Sequence, residues 1–434
     1  MSQGKNKYII GAGITGLAAG CVSGMTIFEA HLTPGGLCSS YYVRPGDVKR
    51  NVFPPENGEA YRFENGGGHW IFGADDDVLR FLKKHVSLKK YVRRSSVYFS
   101  KNDLYVPYPL QNHLRYLDKE IIECALNEIH LEKKPFRTMK EWLSQSFGPT
   151  LCDLFFYPFH ELYTADLYSR IAPQDSYKSP VDLQLVMQGA LQDVSPVGYN
   201  ATFVYPEGGL DLLAMRLADS CDIRYNKRVT KIDTDMKELF FDDSTRISYD
   251  SLISTIPLNK MIEISGIEVK AGPDPYTSVL VINIGAERGG LCPDDNWLYI
   301  PDSSSGFHRV GFYSNVDRSF LPASARENND RVGIYVERAY PGGVKPSVKE
   351  INRYSDNVLH ELQTWGFIGD VDVMDHTWID VAYTWTWPGS KWRQAALAEK
   401  ARHNIYQIGR YGRWNFQGIA ESLKEGLAIL SSIK

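Results

Sequence analysis

The sequence predicts an α/β fold in which one domain on a parallel sheet is left and rejoined by the chain. A helical insert and an antiparallel sheet lie in between. Three stretches carry this reading. Tyr8–Ile10 reads as a strand, Gly11-Ala12-Gly13-Ile14-Thr15-Gly16 as a tight turn into a helix, and Met25–Glu29 as a second strand. Residues 105–195 carry mainly helical patterns, whereas 278–378 read mainly as strands. Near the end, 405–408 reads as a strand that meets Gly409, and a helix at 418–431 follows.

The glycines of the first turn have separate tasks. Gly11 permits the bend, Gly13 lets backbone approach a pyrophosphate, and Gly16 lets helix pack on strand. The helix start offers free N–H groups and a positive dipole end to phosphates. Glu29 closes the unit with a carboxylate able to accept ribose hydroxyls. This Rossmann-like unit predicts a dinucleotide. Gly35-Gly36, with Leu37 beside them, follows a few residues past the acid. That pair leaves room for backbone beside a bulky ligand. It points to FAD, since an NAD enzyme more often runs straight into another helix there.

Bulk properties narrow the class. The 434 residues exceed one core, and the net charge of −4 excludes a nucleic-acid binder as the default. The 26 Tyr and 9 Trp fit either core filling or a pocket that stacks rings. Six cysteines without C-x-x-C spacing disfavour a metal site and a disulfide framework. They suit a reducing, cytoplasmic setting. No apolar run is long enough to predict a membrane span. Oligomeric state is not legible.

Along the chain, the expected segments are an FAD-binding part at 1–104 and a helical substrate domain at 105–195. FAD-binding residues resume at 196–270, an antiparallel sheet substrate domain fills 271–384, and the FAD-binding domain closes at 385–434. Gly66-Gly67-Gly68-His69 reads as a loop able to lie flat against an aromatic ring, or as a hairpin with a surface His. A helix is expected over 75–86. Thr138-x-x-Glu141 is a capping box. Residues 223–232 alternate as one strand, and helix 347–364 interrupts the later sheet.

Taken together, these pieces resemble the FAD superfamily of amine oxidases, protoporphyrinogen oxidases and UDP-galactopyranose mutases over nearly the whole chain. The generic layer is the glycine motif, Glu29, Gly35-Gly36, Gly208-Gly209 and Val229, whose backbone meets the adenine in such proteins. A second layer is similar to the UDP-galactopyranose mutases. Gly67-Gly68-His69 before Ile71-Phe72 resembles their histidine loop at the flavin. Pro107-Tyr108-Pro109-Leu110-Gln111-Asn112 resembles their P-Y-P-F-Q-N uridine segment, and Trp142 falls where they place a nucleotide-site Trp. Tyr299 and Arg309 resemble a diphosphate-binding pair, and Tyr383 a further phosphate-site Tyr. Gly409-Arg410-Tyr411-Gly412-Arg413-Trp414 resembles the flavin segment G-R-[FY]-G-x-W.

There are departures. Tyr157 stands where the mutases carry the first of two diphosphate arginines, Phe416 replaces a Tyr, and Leu110 replaces a Phe. Each lost charge-assisted bond removes roughly 1.5–3 kcal/mol. Either another cation compensates, Arg170 being one, or the ligand differs from UDP-galactose.

The resemblance implies an isomerase that interconverts pyranose and furanose forms of a nucleotide-diphosphate sugar, a UDP- or dTDP-hexose. Reduced flavin N5 would act as nucleophile at the anomeric carbon, with NAD(P)H as an external reductant. Polysaccharide biosynthesis is the implied setting. Arg309 would stabilise the departing diphosphate, and His69 would position the flavin. Tyr108, Gln111, Asn112, Trp142, Tyr157, Tyr299, Tyr383, Trp414 and Phe416 would line the substrate, although core packing explains each single Tyr equally well. Two other readings fit the same residues. One is an FAD oxidoreductase of amine oxidase type that accepts a hydride. The other is a catalytically weak FAD and nucleotide-sugar binder.

Overall fold

The computed structural model describes residues 6–129, 135–174, 182–195 and 201–432. A five-stranded parallel sheet is assembled from three separated parts of the chain. Its order is Ile223–Arg224, Thr26–Phe28, Lys7–Ile10, Ser251–Ser254 and Ile405–Gln407. Lys7–Ile10 sits at the centre because its residues pair on both sides, with 251–254 and with 26–28. The helix Ile14–Ser23 leaves directly from its end and stops at Gly24, in the left-handed region at φ 65. Its packing on the sheet requires Gly16, where an added Cβ would lie 2.0 Å from the Gly11 carbonyl oxygen.

The larger sheet has seven strands in the order Ile368–Thr384, Tyr276–Arg288, Arg331–Pro341, Arg309–Phe312, Trp297–Tyr299, Ser95–Phe99 and Leu104–Pro107. Neighbours are antiparallel except 297–299 beside 95–99. Alternate residues of 276–288 face two different cores, so the strand reads as almost wholly buried. The helix Val348–Thr364 covers one face through Ile351, Val358 and Leu362.

Two expectations need correction. Residues 223–232 are not one strand: Asn226 at φ 53 turns the chain, and Val229–Asp233 joins a separate antiparallel sheet with 238–241 and 246–248. Segment 1–104 does not stay with the parallel sheet, since its strand 95–99 belongs to the seven-stranded one. The junction expected between 195 and 196 borders residues outside those described. The helix expected over 75–86 runs from Asp76 to Lys83 and is capped by the Asp75 carboxylate.

The insert contains helices Lys119–Glu128, Met139–Leu151, Tyr157–Tyr163 and Leu183–Gly189. Met139–Leu151 begins at the expected box: Thr138 Oγ1 accepts the Glu141 N–H, and the Glu141 carboxylate accepts the Thr138 N–H at 3.0 Å. Thr138→Ala is therefore expected to cost about 1 kcal/mol, read as a lower denaturant midpoint with unchanged slope. Stacked Phe147 and Phe156, with ring centroids 3.8 Å apart, hold this core together.

Candidate active site

A cleft of about 1340 Å³ opens along the carboxyl end of the parallel sheet and continues beside the seven-stranded one. It exceeds the range of about 300–1,000 Å³ usual for small-ligand pockets, which leaves room for an extended cofactor and a second ligand.

One end is built from the first turn. Gly11 takes φ +97, Gly13 bridges to Gly35, and a Cβ on Gly13 would meet nothing within 4 Å. The helix that starts there has no side-chain cap and no acid in its first turn, so its N–H groups stay available to an anion. Glu29, at the end of the second strand, accepts the Ala12 N–H at 2.7 Å and the His31 N–H at 2.9 Å. A carboxylate keeps further lone pairs for ribose hydroxyls beyond those two bonds. Gly36, Leu37 and Val229 line the same end, and Gly409, Gly418 and Ser422 line the return of the chain. These open backbone groups fit a dinucleotide pyrophosphate.

The middle of the cleft is walled by the His69 loop. Gly67 adopts φ +77, and Cβ atoms on Gly66 or Gly68 would collide with the His69 or Tyr335 rings. His69 Nδ1 donates to the Gly67 carbonyl at 2.9 Å. Burial lowers the His69 pKa, keeping the imidazole neutral. Beneath the loop, the Glu64 carboxyl accepts the His69 N–H at 2.9 Å and the Tyr205 hydroxyl at 2.6 Å.

Glu64 makes a pH prediction. Burial pushes its pKa up to about 8 from 4.5, more than its hydrogen bonds and Arg62 pull it down. The folded protein then keeps a proton that the unfolded chain releases, so stability falls as pH rises between those values and levels off above them. In Glu64→Gln that part of the slope should vanish from a plot of melting temperature against pH.

Arg309 faces the cleft from the first position of strand Arg309–Phe312, across from Glu337 on the next strand. Its guanidinium donates to both Glu337 oxygens, at 2.5 and 2.6 Å. Glu337 is 2% exposed. Burial alone would raise its pKa, but Arg309, with help from the neighbouring His308, overrides this and holds it at about 2. Arg410 lies over Phe416 at 4.2 Å and Tyr383 at 5.4 Å. Tyr383 is pushed up to about 12 by burial and so remains a neutral hydroxyl donor.

From Tyr383, which lines the cleft, a row of packed rings leads into the insert's core through Tyr163 at 4.8 Å, Phe159, and Tyr299 at 5.5 Å from Phe159, to Tyr108 at 4.4 Å from Tyr299. Gln111 and Asn112 follow in the next turn, buried, with Gln111 Nε2 and Asn112 Oδ1 unpartnered among the described residues. Tyr108, Gln111, Asn112 and Tyr299 lie outside the cleft lining, and four more residues singled out in the sequence lie elsewhere. Trp142 packs edge-on against Phe147 in the insert's core. Tyr157 sits beneath Lys140 and against Tyr168. Trp414 is fully buried behind the cleft and donates to the Trp385 carbonyl at 3.1 Å. Arg170 is exposed and outside the cleft lining.

A family model described as flavin containing amine oxidoreductase matches residues 17–422. The chain belongs to that family. Its fold is similar to that of a reduced UDP-galactopyranose mutase, with TM-score 0.81 and 24% identity over 99% of this chain and 96% of that one. A CLA-producing fatty acid isomerase from P. acnes matches with TM-score 0.61 and 15% identity over 100% of this chain and 99% of that chain. A putrescine oxidase bound to putrescine matches with TM-score 0.57 and 15% identity over 99% of this chain and 98% of that chain. At these identities the likeness concerns the fold. A flavin suits the cradle described above. No helix among the described residues is long and apolar enough to cross a membrane.

For a member of this family, the sequence reading missed Glu337, Phe159 and Tyr163. Glu337 had a visible signal: an acid that directly follows the apolar Val332–Val336 run within one strand. Phe159 and Tyr163 had none beyond helical spacing.

Proposed function

We propose that this protein is an FAD-dependent mutase acting on a nucleotide-diphosphate sugar, interconverting pyranose and furanose forms. The observation that carries the reading is the charge at the far end of the cleft. Arg309 and Arg410 face one carboxylate, Glu337, beside a neutral His69. That surplus of positive charge favours an anionic substrate and repels the ammonium an amine oxidase would admit.

Arg309 binds a phosphate through N–H donors that Glu337 leaves free, and Glu337 fixes the orientation of the guanidinium. Tyr383 and Tyr299 donate hydroxyls to the diphosphate or sugar. The packed rings behind Tyr383 keep water from that wall, strengthening these bonds in a low-dielectric site. Gln111 and Asn112 offer a donor and an acceptor to a base edge, and pairing them relieves about 1–3 kcal/mol for each unsatisfied group. When bound in reduced form, the flavin supplies a nucleophilic N5 to the anomeric carbon. NAD(P)H is the proposed reductant. With Tyr157 turned into the insert, the clamp is built on Arg309 alone or with Arg410, so the preferred sugar need not be galactose.

Titrating the holoprotein with UDP, dTDP and a diamine tests the substrate class. Quenching of protein fluorescence by a pyrimidine diphosphate, and not by the diamine, is expected. The reverse order would replace this reading with the amine oxidase one.

A further inference from the structure

Two cysteines 200 positions apart in sequence meet away from the cleft. Cys21 lies in the last turn of the helix Ile14–Ser23, and Cys221 follows the helix Leu210–Ala218. Their sulfurs are 3.7 Å apart. Both also contact the Leu217 carbonyl, at 3.5 and 3.4 Å, and Cys221 reaches the Leu17 carbonyl at 3.6 Å. Gly20 makes the approach possible, because a Cβ there would stand 2.9 Å from the Cys221 sulfur. Both residues are partly exposed, whereas Cys38 and Cys152 are buried.

We propose that Cys21 and Cys221 form a covalent modification site that closes to a disulfide when it meets a peroxide. Bond formation needs a sulfur separation of about 2.05 Å, so the pair closes by about 1.7 Å. The Cys21 sulfur attacks a peroxide oxygen, the O–O bond breaks, and water leaves after protonation, giving a sulfenic acid. The Cys221 sulfur then attacks the Cys21 sulfur, the S–O bond breaks, and a second water leaves. Two thiols lose two electrons and two protons, and one hydrogen peroxide becomes two waters. The order follows from the contact between them. The hydrogen bond between the two sulfurs lowers the Cys21 pKa against the effect of burial, and the same bond together with burial raises that of Cys221. The thiol that ionises more readily is the attacking one.

The disulfide ties the phosphate-binding helix to the helix at 210–218 across a long loop. A higher melting temperature follows, because the cross-link restricts the unfolded chain.

The test treats the full-length holoprotein with stoichiometric hydrogen peroxide, then denatures it and counts thiols. Of the six cysteines, two should become unreactive, leaving 6 − 2 = 4. Peptide mapping should find one Cys21–Cys221 cross-link that dithiothreitol reverses. In Cys221→Ser the cross-link should be replaced by a sulfenic acid at Cys21 that a dimedone probe captures. Retention of all thiols, sulfinic acid at Cys21 without a cross-link, or a bridge through the exposed Cys124 instead would each overturn the proposal.

Discussion

Replacing Arg309 by alanine is expected to lower the proposed mutase turnover by roughly 100-fold or more, with pyrimidine diphosphate binding lost in parallel. Flavin should remain bound, because the cradle at Gly11, Gly13, Glu29 and Gly36 is untouched. The same substitution leaves the buried Glu337 carboxylate with only His308, 3.6 Å away, beside it, and losing the Arg309 partner costs up to about 3–5 kcal/mol. Lost stability could then be mistaken for lost binding. The double variant Arg309→Ala/Glu337→Gln separates the two, since the amide needs no counter-charge. Thermal stability should recover in it while nucleotide binding stays weak. If binding also recovers, Arg309 serves only the fold. Glu337 adds a dependence on acid: with its pKa held at about 2, the wild type should lose stability as pH falls from about 4.5. Glu337→Gln should not show that loss.

Gly16→Ala is expected to abolish flavin binding. The added methyl would sit 2.0 Å from the Gly11 carbonyl oxygen, and backbone on both sides must move to relieve it. Moving the helix start displaces the N–H groups proposed to meet the cofactor's phosphates. The flavin-to-protein ratio of the purified variant, read by absorbance, should fall close to zero. A full complement of flavin would show that the helix can shift without disturbing the site. Gly13→Ala offers a contrast, because a Cβ there is unobstructed within the protein and meets only what binds. It should leave the fold intact and weaken the cofactor.

The two ends of the cleft differed in how far they could be read from sequence. The cofactor end is local: Gly11, Gly13, Gly16 and Glu29 lie within one strand–helix–strand unit, and the roles expected of them follow from spacing. The family match begins at residue 17, just past these glycines, so it supports a flavin protein without touching the turn itself. The far end depends on contacts between distant segments. Arg309 and Glu337 meet only because two strands pair in register, and a lone acid in an apolar strand gives a hint without naming its partner. Tyr157 illustrates the opposite case. A position can match a phosphate ligand by alignment of motifs while its ring turns to Lys140 and Tyr168. Trp142 and Trp414 fill cores for the same reason: a large ring reads identically in sequence whether it faces a ligand or a helix. The approach of Cys21 to Cys221 was equally hidden, since neither carries a short-range motif.

The most direct test of the mutase reading is product analysis in both flavin states. The holoprotein is reduced with dithionite without oxygen and incubated with a panel of UDP- and dTDP-hexoses, and a parallel sample is kept oxidised in air. The account predicts a furanose nucleotide sugar from the reduced sample, with no net flavin oxidation and no isomer from the oxidised one. Turnover confined to the oxidised sample, with peroxide released and an oxidised substrate recovered, would contradict it.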